Sequence, residues 1–331
     1  MPPEPADHHL LPDIVVANID EYGGEMGRAW LREFPQLLAR VVHDWALTLE
    51  APYTRLSFNY VTRVRGRDGT EAVLKLGAPW DEKRTELEWL RHYQDVGAPV
   101  PPGEPNTHAT AVGVARVLRA DASIAALMLE RLTPGDTLHA IDDDAATRLL
   151  ANCMRMLRRP APHGIAFPHV SEWLAALPRY RAAHGDAGPL DERRIVRAQD
   201  LLPRLLHAEK DVLLHGDLHH ANVLRRLDAQ GATRWTVIDA KGVVGPPTYE
   251  CGPMLLNGAV EHQSAERVLE LTRARIPLFA QLLGASERDI AQWGFVHTML
   301  SACWIVESGG TRGMDAHQKL AAAMECCLDG D

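Results

Sequence analysis

Between residues 212 and 226 the chain reads VLLHGDLHHANVLRR, which sets His215, Asp217, His219, His220 and Asn222 between two apolar runs. Seventeen positions after Asn222 comes Asp239, in VIDAKGVVG. His215 and His219 stand four apart, as zinc ligands on one helix face would, but the stretch follows Val212 to Leu214 like a strand end, and no second ligand cluster is obvious. A polar turn between core segments would accommodate the histidines and leave the acid, the amide and the second acid unexplained. Phosphoryl transfer uses all three. One aspartate orients the attacking hydroxyl and accepts its proton, while an asparagine and a second aspartate hold Mg2+ against nucleotide phosphates. Asp217, Asn222 and Asp239 have the order and spacing for those roles.

Such a loop needs a body to hold it. The chain has 331 residues, 46% hydrophobic and 24% charged, which is long enough for two units and is the balance of a chain that folds. Its formal net charge of −9 disfavours nucleic-acid or anionic-membrane partners, and an acidic cleft would attract a cationic small molecule. Cys153, Cys251, Cys303, Cys326 and Cys327 form no C-x-x-C pair and no N-x-S/T acceptor occurs, which points to a reducing cytoplasm. Neither an export signal nor a membrane-spanning run is present. The absence of G-x-x-x-x-G-K-[ST] and G-x-S-x-G removes the P-loop and serine-hydrolase readings.

Residues 1–27, rich in Pro, Asp and Gly, are expected to drape over the body. In RAWLREFPQLLARVVHDWAL, Trp30, Leu31, Phe34, Leu37, Leu38, Val41 and Trp45 recur at helical spacing, with Pro35 as a kink or restart. LSFNYVTRVRG and EAVLKLG, joined by RDGT, form an antiparallel hairpin. DEKRTELEWLRHYQDVG is a helix capped at Asp81 and stopped at Gly97. VGVARVLRA and SIAALMLERL are two further strands, and the turn-forming TPGDTL marks the boundary between residues 1–132 and 133–331. Beyond it, helical spacing recurs at 142–158, 171–184, 190–208, 264–283, 287–307 and 314–328, interrupted by the histidine-rich loop and the strand RWTVIDA. The fold class is α+β, a small antiparallel sheet followed by a larger, mainly helical part.

HGDLHHANVL with VIDAKGVVG resembles the catalytic and metal-binding loops of the aminoglycoside phosphotransferases, and the double histidine with DAKGVVG resembles their streptomycin 6-kinase and hydroxyurea phosphotransferase branch. The resemblance implies a bilobal protein-kinase-like fold using ATP and Mg2+, with Asn222 and Asp239 on the metal and Asp217 as the catalytic base. AVLKL resembles the third-strand lysine motif. Lys75 is then the partner of the α- and β-phosphates and Glu86 its ion-pair partner, with Glu88 a rival on the same helix. LMLERLTPG resembles the segment linking the lobes, where the backbone of Glu130 and Leu132 would face the adenine edge. RLSFNYV lacks the glycines of a kinase phosphate cover, so backbone groups with Ser57 and Asn59 are expected there. His215 would brace the loop. His219 would face phosphate or substrate or serve structure alone, and Lys241 would touch the γ-phosphate or cap the following loop.

The segment from Asp239 to YECGPMLLN is too short for a protein-kinase activation loop, which favours a small-molecule acceptor. The resemblance suggests a cationic, hydroxylated aminocyclitol such as streptomycin, phosphorylated on its 6-hydroxyl. Its cations need carboxylates, for which Glu250 and Glu307 are candidates, with Trp304 on the same helix face as Glu307 and Asn257 as a further candidate. A helix-end Glu307 in solvent, and a Glu250 that merely complements a helix dipole, are the plain alternatives. Two other readings stay open: a kinase of hydroxyurea or another small metabolite, and a nucleotide-binding pseudokinase that regulates a partner. A cytoplasmic monomer or homodimer is expected.

Overall fold

In a computed structural model describing residues 11–54, 56–96, 112–257, 263–311 and 313–330, two helices precede the first strand: α1 (Asp13–Tyr22) and α2 (Gly24–Trp45). The draped segment expected over residues 1–27 is thus corrected to a helix from Asp13 onward. It starts after the extended Pro12, and Val15 and Ile19, one turn apart, are fully buried. Two apolar contacts in ten residues are too few to show as a period. Helix α2 continues through Pro35 and ends on a left-handed Ala46, so Leu47 starts β1 (Leu47–Pro52) instead of closing the helix.

The expected hairpin forms from β2 (Asn59–Gly66) and β3 (Glu71–Gly77), in register from Asn59↔Gly77 to Arg65↔Glu71. Gly69 takes the left-handed φ of 84° that its turn needs. Helix α3 (Asp81–Val96) follows; the predicted stop at Gly97 lies outside the described residues. VGVARVLRA is two strands, β4 (Val112–Val114) and β5 (Val117–Asp121), and SIAALMLERL supplies β6 (Ala126–Glu130). Strands in the order β1-β2-β3-β6-β5 make an antiparallel sheet. Tyr60, Val64, Ala72, Leu74, Leu76, Ala126 and Met128 share its core with Trp30, Phe34, Leu38 and Val41 of α2. Each buried Val, Leu, Met or Phe side chain contributes roughly 1.5–3 kcal/mol by leaving water.

The chain divides into two compact units, Met1–Gln94 with Ala115–Leu132 and Asp95–Val114 with Thr133–Asp331. A single boundary at 132/133 therefore needs correction. Strand β4 belongs to the second unit because it pairs in parallel with β10 (Thr233–Val237), Val112 opposite Trp235, a contact far apart in sequence. TPGDTL, expected as a turn, holds β7 (Pro134–Thr137), next to β9 (Val223–Leu227) in a four-stranded sheet ordered β4-β10-β9-β7. A short ladder joins β8 (Val212–Leu214) to β11 (Val243–Gly245).

The rest of this unit is helical: α4 (Asp143–Met156), α5 (Val170–Leu174), α6 (Ala176–His184), α7 (Glu192–Leu205), α8 (Cys251–Asn257), α9 (Ala265–Leu283), α10 (Glu287–Glu307) and α11 (Met314–Asp329). Asp142, Asp191, Ser264 and Ser286 cap α4, α7, α9 and α10 by accepting first-turn N–H groups. Helix α10 is buried on all sides from Ile290 to Leu300 and packs on α6, α7, α8, α9 and α11, which makes it the axis of the unit. Among the described residues no helix is long and apolar enough to cross a membrane.

Candidate active site

Strand β8 delivers the chain into the loop that opened the sequence analysis, and the loop is knotted at His215. Its Nε2 donates to Ile238 O at 2.9 Å, its Nδ1 accepts the Asp217 N–H at 3.2 Å, and its carbonyl accepts the Lys241 N–H at 2.8 Å. That pattern defines the Nε2-H tautomer of a neutral ring. Burial keeps it neutral by lowering the imidazole to about 3. Gly216 adds a steric requirement. Its φ is 83°, and a Cβ there would lie 2.9 Å from both the Trp173 ring and Val243.

Glu250, expected to bind a substrate cation, is corrected by its position. It is 4% exposed, at the end of a short turn (Pro247–Glu250) entering α8. Its two oxygens accept the His215 and Gly216 N–H groups, each at 2.9 Å. Burial raises the carboxyl to about 7, against the backbone donors, which favour the anion. Both oxygens are engaged by main-chain N–H groups, so it braces the loop. A carboxylate following GPPTY could be seen in the sequence, but its partners thirty-five and thirty-four positions away could not.

The sixteen residues between Asn222 and Asp239 form a hairpin. Strands β9 and β10 pair from Val223↔Val237 to Leu227↔Thr233, so the residues just outside the first pair lie side by side, and Ile238 N–H donates to Asn222 O at 3.0 Å. Asp239 then turns with a left-handed φ of 61°, unusual for a residue with a Cβ. Asn222 is buried and its Nδ2 donates to Asp217 O at 2.8 Å. Asp217, Asn222 and Asp239 are in this way brought together by one loop and one hairpin.

His219 sits among them, with Nε2 3.6 Å from Asp217 Oδ1 and 3.2 Å from Asn222 Nδ2. Its Nδ1 faces the Ala221 N–H at 3.3 Å. A neutral ring accepts from Ala221 or from Asn222, one at a time, and in the former case its Nε2 proton points toward Asp217. Lys241 is half-buried and its backbone closes the turn on His215, while its Cβ lies 3.3 Å from where a Gly216 side chain would begin.

The first unit holds the other expected residues. Lys75 Nζ donates to Glu86 Oε1 at 2.5 Å, both side chains being almost fully buried, whereas Glu88 is more exposed and faces Arg91. The other oxygen, Oε2, accepts from Lys83 at 3.0 Å, a second buried lysine that sequence reasoning missed. Asn59 is buried at the head of β2, its Oδ1 without a hydrogen-bond partner among the described residues. Ser57 is exposed, and its carbonyl accepts from Asn18 Nδ2 of α1 at 2.9 Å. Phe58 beside it packs edge-on against Tyr22 and Trp80. The turn without glycines is thus held from outside by a helix and two aromatic rings. Glu130 spends its N–H on Arg116 O and its carboxylate on the Arg116 N–H; Leu132 is half-buried after β6.

In the second unit Trp304 and Trp173 meet edge to face, centroids 5.9 Å apart, and Trp173 also abuts the Gly216 position, one residue before Asp217. Glu307, a candidate for substrate cations, is engaged by Arg179 through two hydrogen bonds of 3.1 Å. A substrate cation would have to replace or share that arginine. Asn257 bonds Pro253 O within its own helix. Among the described residues no cluster of three or more His, Cys, Asp or Glu could hold a metal alone.

A family model described as "Aminoglycoside/hydroxyurea antibiotic resistance kinase" matches residues 44–309. The chain is 30% identical to a streptomycin 6-kinase of Streptomyces glaucescens over 95% of its own length and 96% of the relative's. It is 30% identical to a hydroxyurea phosphotransferase of Kitasatospora aureofaciens, over 87% of this chain and 78% of that one. In fold it resembles the choline kinase LicA of Streptococcus pneumoniae, with a TM-score of 0.59 at 13% identity over 91% of this chain and 100% of the other. A choline/ethanolamine kinase family protein of Mesorhizobium loti gives a TM-score of 0.60 at 12% identity, over 89% and 95%. The chain belongs to the aminoglycoside/hydroxyurea antibiotic resistance kinase family and is a phosphotransferase acting on small molecules.

Proposed function

We propose that the protein moves the γ-phosphoryl group of ATP to a hydroxyl of a cationic aminocyclitol, streptomycin at its 6-hydroxyl. The hairpin that brings Asn222 and Asp239 beside the Asp217 loop carries this reading, together with the likeness to a streptomycin 6-kinase along 95% of the chain. Asp217 orients the acceptor hydroxyl and takes its proton as the hydroxyl oxygen bonds to phosphorus and the phosphorus–oxygen bond to ADP breaks. Asn222, its Nδ2 tied to Asp217 O, offers Oδ1 to Mg2+, and Asp239 offers its carboxylate. The bound Mg2+ would neutralise charge on the phosphates. Lys75, held by Glu86, meets the α- and β-phosphates. The Glu130 and Leu132 backbone faces the adenine, and the Ser57 turn with Asn59 covers the phosphates. His219 orients Asp217, and Lys241 lies toward the γ-phosphate. Trp304 and Glu307 wall the acceptor side, with Trp173 added. The protein works in the cytoplasm as a monomer or homodimer, without nucleic acid or membrane.

The test is ADP release from Mg2+ and ATP with streptomycin, other aminoglycosides, hydroxyurea and sugars as acceptors. Turnover with streptomycin and a product phosphorylated at the 6-hydroxyl is expected. Silence with every aminocyclitol would overturn this substrate. Turnover with hydroxyurea would favour the second reading, which the Kitasatospora relative supports, and nucleotide binding without transfer to any acceptor would mark a pseudokinase.

A further inference from the structure

We infer that His220 is a positioning residue for the metal-binding turn, its ring closing a hydrogen bond to Asp143 when Mg2+ and nucleotide load Asn222. The inference rests on the metal role proposed for Asn222 and adds a residue to it. His220 begins the short helical turn that ends at Asn222, so the two side chains ride on one piece of backbone. At its other end the turn is fastened: Asn222 N–H donates to His219 O at 2.9 Å, and Asn222 Nδ2 to Asp217 O at 2.8 Å. His220 is 2% exposed, yet neither Nδ1 nor Nε2 has a hydrogen-bond partner among the described residues. Burial keeps the ring neutral by lowering it to about 3, which leaves one N–H donor and one acceptor. A buried donor left idle costs stability, and a phenyl ring would fill the same space without that cost.

The surroundings supply a partner just out of reach. Asp143, in the first turn of α4, places Oδ1 3.8 Å from His220 Nε2. Its carboxylate accepts from Arg275 of α9, Nε to Oδ2 at 3.1 Å and Nη2 to Oδ1 at 2.5 Å, and that arginine is itself buried. Oδ1 can still accept a second donor. The His139 ring lies against His220, with centroids 5.1 Å apart and planes within 20°, which restrains the imidazole from tilting. A shift of about 1 Å brings Nε2 into the ordinary hydrogen-bond range of Oδ1. Hydrogen bonds around a reaction site are commonly long in the empty enzyme and tighten in the loaded one. Here the load falls on Asn222, two residues along the same turn. Drawing its Oδ1 onto a cation pulls the turn, and the His220–Asp143 bond then fastens it to α4 and α9, two helices that pack on each other.

The experiment combines urea titration of the nucleotide-free protein with calorimetry of ATP binding, with and without Mg2+, for the wild type, His220→Phe and His220→Gln. Phenylalanine keeps a ring and removes both nitrogens; glutamine returns a donor near the position of Nε2. The urea midpoint of His220→Phe should stay level or rise, since an idle donor and acceptor are gone. Its affinity for ATP with Mg2+ should fall roughly tenfold while metal-free ATP binding is unchanged. His220→Gln should recover most of the loss. Wild-type affinity for ATP with Mg2+ in His220→Phe, or an equal loss without the metal, overturns the assignment. So does a lowered urea midpoint or a His220→Phe protein that does not fold, because the nitrogens would then be bonded in the nucleotide-free state. A wild type whose ATP affinity is indifferent to Mg2+ overturns the metal role proposed for Asn222, and this inference with it.

Discussion

The Lys75–Glu86–Lys83 cluster of the first unit and the Asp217 loop of the second handle buried polar groups in opposite ways. Around Glu86 the contacts are ion pairs: the carboxyl group bonds Lys75 and Lys83, and all three side chains are almost fully buried. Around Asp217 the support is mostly neutral or backbone: His215 carries no proton to spare, and Glu250 serves as acceptor for two main-chain N–H groups. A charged cluster exerts force on an anion but fixes geometry loosely. A net of backbone hydrogen bonds fixes geometry and adds little field. The first suits holding phosphates and the second suits aiming a hydroxyl, so damage to each should appear in a different kinetic constant.

The largest effect should follow Asp217→Asn, which keeps the shape and removes the proposed base. Turnover should fall about 10²–10⁴-fold while ATP affinity changes little; undiminished kcat would remove Asp217 from the chemistry. Next comes Glu250→Gln, which sets an NH2 group against one of the two N–H donors now 2.9 Å away. A loss of about 1–3 kcal/mol in stability and a fall in kcat with unchanged ATP affinity are expected from urea titration and steady-state kinetics. A change confined to KM for ATP would break the contrast between the two regions.

The pH dependence sharpens it further. His215, His220 and His297 are lowered to about 3, so their stabilisation is complete above the ordinary value of 6.5 and is lost as pH falls toward 3. Glu250 is raised from 4.5 to about 7, so its term is complete below 4.5 and is lost as pH rises through 7. Three groups oppose one, and the urea midpoint should climb from pH 4.5 to 6.5 and then level or dip. Glu250→Gln should remove the dip; a midpoint rising equally in both proteins up to pH 8 would contradict the burial argument. The smallest effect is Asn18→Ala, which removes one hydrogen bond to Ser57 O. It should cost about 1 kcal/mol and raise KM for ATP with kcat kept, since Asn18 of α1 holds the turn proposed to cover the phosphates.

How much of this could be seen beforehand differs along the chain. The β2–β3 hairpin, Lys75 with Glu86, and the order of Asp217, Asn222 and Asp239 were legible because each depends on neighbours a few residues away or on one simple hairpin. Helix α1 was missed because its case rests on Val15 and Ile19 meeting a core built elsewhere. Glu250 was misjudged because a carboxylate has the same letter whether it faces a cation in water or backbone N–H groups in the interior.

The sequence alone determined the chemistry on offer, an acid, an amide and a second acid at hairpin spacing after a strand, because such motifs are encoded by local order. Tertiary structure decided which charged side chains are spent on the protein itself, as Glu250 is, and which are gathered, as Lys83 is beside Lys75. It also moved β4 into the second unit's sheet. The reason is common to all of these. Burial and pairing depend on residues distant in the chain, and no local pattern records them.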